Sequence, residues 1–288
     1  MQETETPFWL QPSDAVSDLQ TLYFVHGNSF PTGTYSEFLQ ALRADYQIRA
    51  TEMLGHNPDF PVTDGWPLLC QELISNIEST HAAPVILVGH SLGGILSLMA
   101  ARLRPDLVRC VVMLDSPLVV GWRALLLKIC KLSRLDLLLS PAKSSRKRRK
   151  SWPDKEAAFQ HFAGKDAFSI WPEKVLRDYI TFGTEPYPKG VTLRFKREIE
   201  TAIYRALPDN INRFASLPFP RPIGYICGTT SVESRHAGVI HTRQFTGPNF
   251  EWMEGGHLYP LESPRLTAQK VHAMIQKLLL ADTKNGAC

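Results

Sequence analysis

Val85-Ile86-Leu87-Val88-Gly89-His90-Ser91-Leu92-Gly93-Gly94 is the stretch on which the reading of this chain turns. Its apolar start reads as a buried strand and Gly-x-Ser-x-Gly over 89–93 as a sharp turn. Ile95 to Ala101 continues as a helix that Pro105 stops. A serine hydroxyl is a weak nucleophile, and a strand-to-helix turn holds it proud of a sheet, within reach of a base and a substrate. Such an elbow imposes unfavourable backbone angles on Ser91 and crowds its neighbours, which is a steric reason for Gly89 and Gly93 to lack side chains. Leu92, first in the helix, would offer a free backbone N–H to a developing oxyanion.

On the N-terminal side, Thr21 to Val25 reads as a second buried strand that runs into His26-Gly27-Asn28-Ser29. A turn at the carboxyl end of a central strand can set another N–H opposite the elbow. Asn28 is the expected donor, with His26 bracing the loop. Tyr46 to Ala50 reads as a shorter strand, Tyr35 to Leu42 and Leu68 to Ile77 as helices, and His56 falls in a loop. On the C-terminal side, Cys110 to Leu114 is another apolar strand, ending at Asp115-Ser116-Pro117. Strand and helix in alternation predict a mainly parallel, doubly wound α/β sheet.

After Pro117 the alternation gives way to helical, leucine-rich and basic segments until about Leu217. The expected organisation is therefore a core in two parts, 1–117 and 217–288, with a mostly helical cap or lid, 118–216, inserted between them. Trp122 to Leu139 sets Leu125, Leu126, Ile129 and Leu132 on one face among interleaved Arg and Lys residues. A lid helix over a pocket is the reading adopted for this pattern, ahead of a helix resting on a membrane. Pro153-Asp154 and Pro172 open further helices. Beyond the insertion, Pro222 to Gly228 and Phe250 to Met253 resume the sheet, and Pro264 to Leu280 closes it as a helix. His257 stands on the glycine-rich loop after the last strand, where a base facing Ser91 belongs.

At 288 residues and 44% hydrophobic composition the chain can bury one large core with an insertion. Its acidic N-terminus lacks a signal-peptide pattern and no apolar run approaches the ~18 residues of a membrane span, so a cytoplasmic location is expected. The five cysteines are scattered, with no Cys-x-x-Cys pair, and no phosphate-binding loop occurs; neither a metal nor a nucleotide cofactor is expected. Of the net charge of +4, six positive charges fall within Lys143–Lys150, which leaves the rest of the chain two units negative. That run reads as a solvated loop able to make weak contact with an anionic surface. It lacks the aromatic interleaving or recognition motif of a nucleic-acid site.

Through His26-Gly27-Asn28, Gly89-His90-Ser91-Leu92-Gly93-Gly94 and Gly255-Gly256-His257, in that order, the chain resembles the α/β-hydrolase family over roughly 20–117 and 217–282. The resemblance implies Ser91 as nucleophile, His257 as general base, and the N–H groups of Asn28 and Leu92 as oxyanion hole. It also implies hydrolysis of an ester, amide, thioester or carbon–carbon bond, usually without a cofactor. The family most often carries its acid a few residues past a glycine after the strand preceding the histidine. Here that stretch is Gly228-Thr229-Thr230-Ser231-Val232-Glu233. A minority carries the acid one strand earlier, which points to Asp115, with Glu233 as the alternative.

The leading expectation is a serine hydrolase of a small or medium ester, carboxylesterase- or lipase-like, with no cofactor and a small-molecule substrate. A carbon–carbon bond hydrolase or an acyltransferase would use the same triad. A ligand-binding protein that has kept the fold without the chemistry is the alternative of another class.

Overall fold

The computed structural model describes residues 7–11, 19–80, 82–133 and 148–285. Its core is a six-stranded sheet in the order β2-β1-β3-β4-β8-β9, with every neighbouring pair parallel. The strands are β1 (Thr21–Val25), β2 (Gln47–Ala50), β3 (Val85–His90), β4 (Val108–Leu114), β8 (Ile223–Gly228) and β9 (Phe250–Met253).

Alternation along the central strands splits the apolar residues between two faces. Leu22, Phe24, Ile86 and Val88 pack under α1 (Ser36–Leu42) and the C-terminal helix Pro264–Asn285, while Tyr23, Val25, Val85 and Leu87 pack under α2 (Pro67–Ser79) and α3 (Leu92–Leu103). A parallel sheet covered on both sides needs strands that are apolar throughout, and β1, β3 and β8 are buried along their whole length.

Between β4 and β8 the chain leaves the sheet. It forms α4 (Trp122–Leu132), β5 (Ser151–Trp152), α5 (Lys155–Ala163), α6 (Asp166–Ser169), α7 (Glu173–Gly183), β6 (Thr184–Tyr187), β7 (Gly190–Leu193) and α8 (Arg197–Arg205). Asp154 caps α5 by accepting from the Ala157 N–H at 2.7 Å, and Pro172 immediately precedes α7. The antiparallel sheet β5-β7-β6 was not anticipated in a mostly helical segment. Its strands are two to four residues long and half-exposed, with Pro186 among them, too short for alternation to register. An aromatic cluster anchors this segment: Phe30, just beyond β1, packs at 5.7–5.8 Å against Tyr179 and Trp171.

After β8 come α9 (Val232–Ala237) and α10 (Val239–Thr246), and after β9 come α11 (Tyr259–Glu262) and α12 (Pro264–Asn285). Among the described residues no helix is long and apolar enough to cross a membrane.

Candidate active site

Ser91 sits between β3 and α3 with φ 52° and ψ −114°, a conformation L-residues rarely adopt. Two glycines allow it. A Cβ on Gly89 would run into the carbonyl oxygen of Gly93, and one on Gly93 into that of Val25. The strained residue is held by a backbone bond from the Ser91 N–H to the Leu114 carbonyl at 2.9 Å.

The Ser91 hydroxyl lies 3.0 Å from Nε2 of His257, whose Nδ1 lies 2.6 Å from Oδ2 of Asp115. A carboxylate can only accept, so His257 carries its proton on Nδ1 and turns the Nε2 lone pair toward Ser91. Burial works against the imidazolium, but the hydrogen bond and charge of Asp115 outweigh it and hold the His257 pKa above its ordinary 6.5. Asp115 is fully buried, and burial alone would raise its pKa. The His257 bond and charge, with donors from Ser231 and Gly228, reverse this and leave the pKa below its ordinary value. Its Oδ2 also accepts from Ser231 Oγ at 2.6 Å, and its Oδ1 from the Gly228 N–H and Ser234 Oγ, each at 2.9 Å.

Glu233, the alternative acid, is exposed on α9 and makes no hydrogen bond to His257; it accepts from Ser231 Oγ at 3.5 Å. Asp115, Glu233 and His257 offer ligand-type atoms within 4.8 Å of one another. Four donors already occupy the Asp115 oxygens, which makes them poor metal ligands.

Sequence reasoning assigned no role to His90 or Tyr35, yet these two connect the three loops of the site. The Gly27 N–H donates to the Tyr35 hydroxyl at 3.2 Å, that hydroxyl meets His90 Nδ1 at 2.8 Å, and His90 Nε2 meets the His257 carbonyl at 2.9 Å. A carbonyl only accepts, so Nε2 of His90 carries the proton and Nδ1 accepts from Tyr35. Complete burial, with the nearby His257, pushes the His90 pKa down to about 3, which keeps the ring neutral. His26 is likewise buried, its pKa pushed down to about 4 by burial. It accepts from the Leu54 N–H at 2.8 Å and reaches the Gly27 carbonyl at 2.8 Å, and so braces this loop.

Asn28 follows β1 and Leu92 opens α3, and among the described residues neither backbone N–H donates to a protein acceptor. Ser91, Leu92 and His257 line a cavity of about 670 Å³ whose walls are mainly apolar, including Ile95, Val119, Leu126 and Leu127. α4 covers only part of the helix expected over 122–139, residues 134–139 lying outside the described residues. Leu125, Leu126 and Ile129 of its expected apolar face are all exposed, and of the three Leu126 lines the cavity. His56 is packed edge-on against Phe195 at 4.5 Å and accepts from the Lys196 N–H, outside the cavity lining.

Of the basic run, Lys143–Arg146 and Lys147 lie outside the described residues. Arg148 departs from the solvated-loop expectation, because it is inserted between α7 and α8 and paired with Glu200. Arg149 and Lys150 are exposed.

A parallel sheet with helices on both faces, a serine on the strand-to-helix elbow and a histidine facing it define a class of protein rather than one activity. The chain matches the model of the alpha/beta hydrolase family over residues 22–270 and belongs to that family. It is similar to a monoglyceride lipase of Rattus norvegicus, 30% identical over 111 residues, a match that covers 35% of this chain and only about a third (36%) of the lipase. Among solved structures it is similar to an E-2-(acetamidomethylene)succinate hydrolase, with a TM-score of 0.70, 22% identity, and 90% of this chain and 91% of that one covered. It is also similar to the thioesterase domain from the curacin biosynthetic pathway, with a TM-score of 0.69, 18% identity, and 88% and 91% covered. At these identities the two structures bear on the fold alone.

Proposed function

We propose that the chain is a serine ester hydrolase with Ser91 as nucleophile, His257 as general base, Asp115 as the acid, and the Asn28 and Leu92 N–H groups as oxyanion hole. The observation that carries this reading is the His257 ring, 3.0 Å from Ser91 Oγ on one side and 2.6 Å from Asp115 on the other. Ser91 Oγ attacks the ester carbonyl as its proton passes to Nε2 of His257, and the carbonyl oxygen takes up the negative charge between the two amides. Collapse expels the alcohol, which takes the proton from the imidazolium and leaves Ser91 acylated. Water, deprotonated by His257, then releases the acid and restores the serine.

The apolar walls favour an ester with a hydrophobic acyl group, and likeness to a monoglyceride lipase makes a lipid ester one candidate substrate. In this reading 118–216 acts as the cap that forms the cavity roof. The test is labelling of Ser91 by a fluorophosphonate probe, followed by turnover of p-nitrophenyl esters of increasing chain length and of a monoacylglycerol. A native protein that the probe does not label would sink the proposal.

A further inference from the structure

Among the described cations of the basic run, Arg148 is the one that does not lie exposed on the surface. It is 17% exposed and donates from Nη1 to both carboxylate oxygens of Glu200, at 3.2 and 3.1 Å, and from Nη2 to the Tyr179 hydroxyl. Glu200, 7% exposed, lies on α8 one turn before Tyr204, so both residues sit on the same face of the helix. Asn28 meets both of them. Its Nδ2 donates to the Glu200 backbone carbonyl at 3.2 Å, and its side chain lies beside the Tyr204 hydroxyl. The Tyr204 hydroxyl carries one proton to donate. Among the described residues no protein group accepts that proton, and Tyr204 lines the same cavity as Ser91, Leu92 and His257. Burial, reinforced by the Glu200 charge, raises the Tyr204 pKa above its ordinary 10, so the hydroxyl stays protonated at neutral pH.

We propose that Tyr204 is a third hydrogen-bond donor of the site, its O–H aimed at an uncharged oxygen of the bound ester, and that the Arg148–Glu200 pair is the positioning device for this donor. The inference rests on the serine hydrolase reading. It ties the ion pair on the cap to the loop that carries the proposed Asn28 donor, because the Asn28 side chain is hydrogen-bonded to the Glu200 carbonyl and lies beside the Tyr204 hydroxyl. Glu200 and Glu233 act on the Tyr204 hydroxyl as negative charges and Arg148, paired with Glu200, opposes them, so a neutral hydroxyl rather than a free cation is the group Tyr204 offers to the substrate.

The experiment uses the full chain and p-nitrophenyl butyrate. Wild type and Ser91→Ala are first compared for fluorophosphonate labelling, and then kcat and KM are measured for Tyr204→Phe, Arg148→Lys, the double variant and the exposed control Arg149→Gln. Arg148→Lys retains the charge that Glu200 needs, so the variant stays folded, but it loses the fork that holds Glu200 and Tyr179 together. Tyr204→Phe is expected to lower kcat/KM about 10-fold, the scale of one neutral hydrogen bond. Arg148→Lys should lower it by a smaller factor, and the double variant should fall no more than about twofold below Tyr204→Phe, since one residue acts through the other. Arg149→Gln should match wild type. Tyr204→Phe kinetics within twofold of a labelled wild type overturn the proposal alone. Fully multiplicative losses in the double variant overturn the positioning role of Arg148. An unlabelled wild type fails the hydrolase reading and takes this inference with it.

Discussion

Nε2 of His90 donates to the backbone carbonyl of His257 at 2.9 Å, so the residue preceding Ser91 in sequence holds the loop that carries the proposed base. His90→Phe removes that donor and also strands the Tyr35 hydroxyl inside the protein. The variant should lose roughly 1–3 kcal/mol of stability, the cost of unmade buried hydrogen bonds, and kcat should fall at least ~10-fold with KM little changed. Urea denaturation and steady-state kinetics measure the two effects. Unchanged kcat in the folded variant would show that the loop is held by other contacts.

Ser91→Ala removes one hydroxyl from a partly exposed turn and no packing. Hydrolysis and probe labelling should be abolished while the melting temperature stays close to wild type. Residual turnover near the wild-type rate would rule out nucleophilic catalysis by Ser91.

Asp115 and Glu233 should differ sharply. Asp115→Asn presents an amide where His257 needs an acceptor and can lower turnover by as much as ~10⁴-fold, whereas Glu233→Gln changes a group without a bond to His257 and should cost less than about 10-fold. The reverse ranking, measured on folded protein, would transfer the acid role to Glu233.

The pH profile follows from the direction of the His257 shift. The base works only when neutral, and Asp115 raises its pKa, so kcat/KM should fall on the acid side with a midpoint above pH 6.5. Replacing Ser231 with Ala removes a donor to Asp115 at 2.6 Å. With less competition for its charge, Asp115 should raise the His257 pKa further and carry the midpoint upward. A midpoint that moves down instead would contradict this account.

Stability should have its own pH dependence through His26. Its folded pKa is about 4 against an ordinary 6.5, so between these values the unfolded chain binds a proton that the folded chain refuses. The contribution is complete above pH 6.5 and is lost as the pH falls toward 4, on the order of 3 kcal/mol from this residue. The difference in unfolding free energy between wild type and His26→Gln, measured from pH 7.5 to 4.5, should shrink over that window, and a difference independent of pH would mean that His26 titrates when folded.

The sequence by itself determined the elements whose signals are local. The apolar run into Gly89-His90-Ser91-Leu92-Gly93 specifies a strand, a crowded elbow and a helix within about twenty residues, because a buried parallel strand must be apolar throughout and the elbow excludes side chains at two positions. For the same reason the alternation of strands and helices was legible as a doubly wound sheet. Which carboxylate reaches His257 was decided only by the tertiary structure. β4 and β8 lie side by side with Leu114 paired to Ile226, which brings Asp115 under the Gly228 amide and beside Ser231, in the stretch where the family usually carries its acid. That contact joins residues 113 to 142 positions apart, and no local pattern encodes it. The burial of Arg148 is decided the same way. A run of cations reads as solvated until a distant carboxylate, Glu200, and a tyrosine, Tyr179, are folded against one of them. His90 and Tyr35, 55 residues apart, likewise acquire their roles from where β3 and the loop after β1 meet.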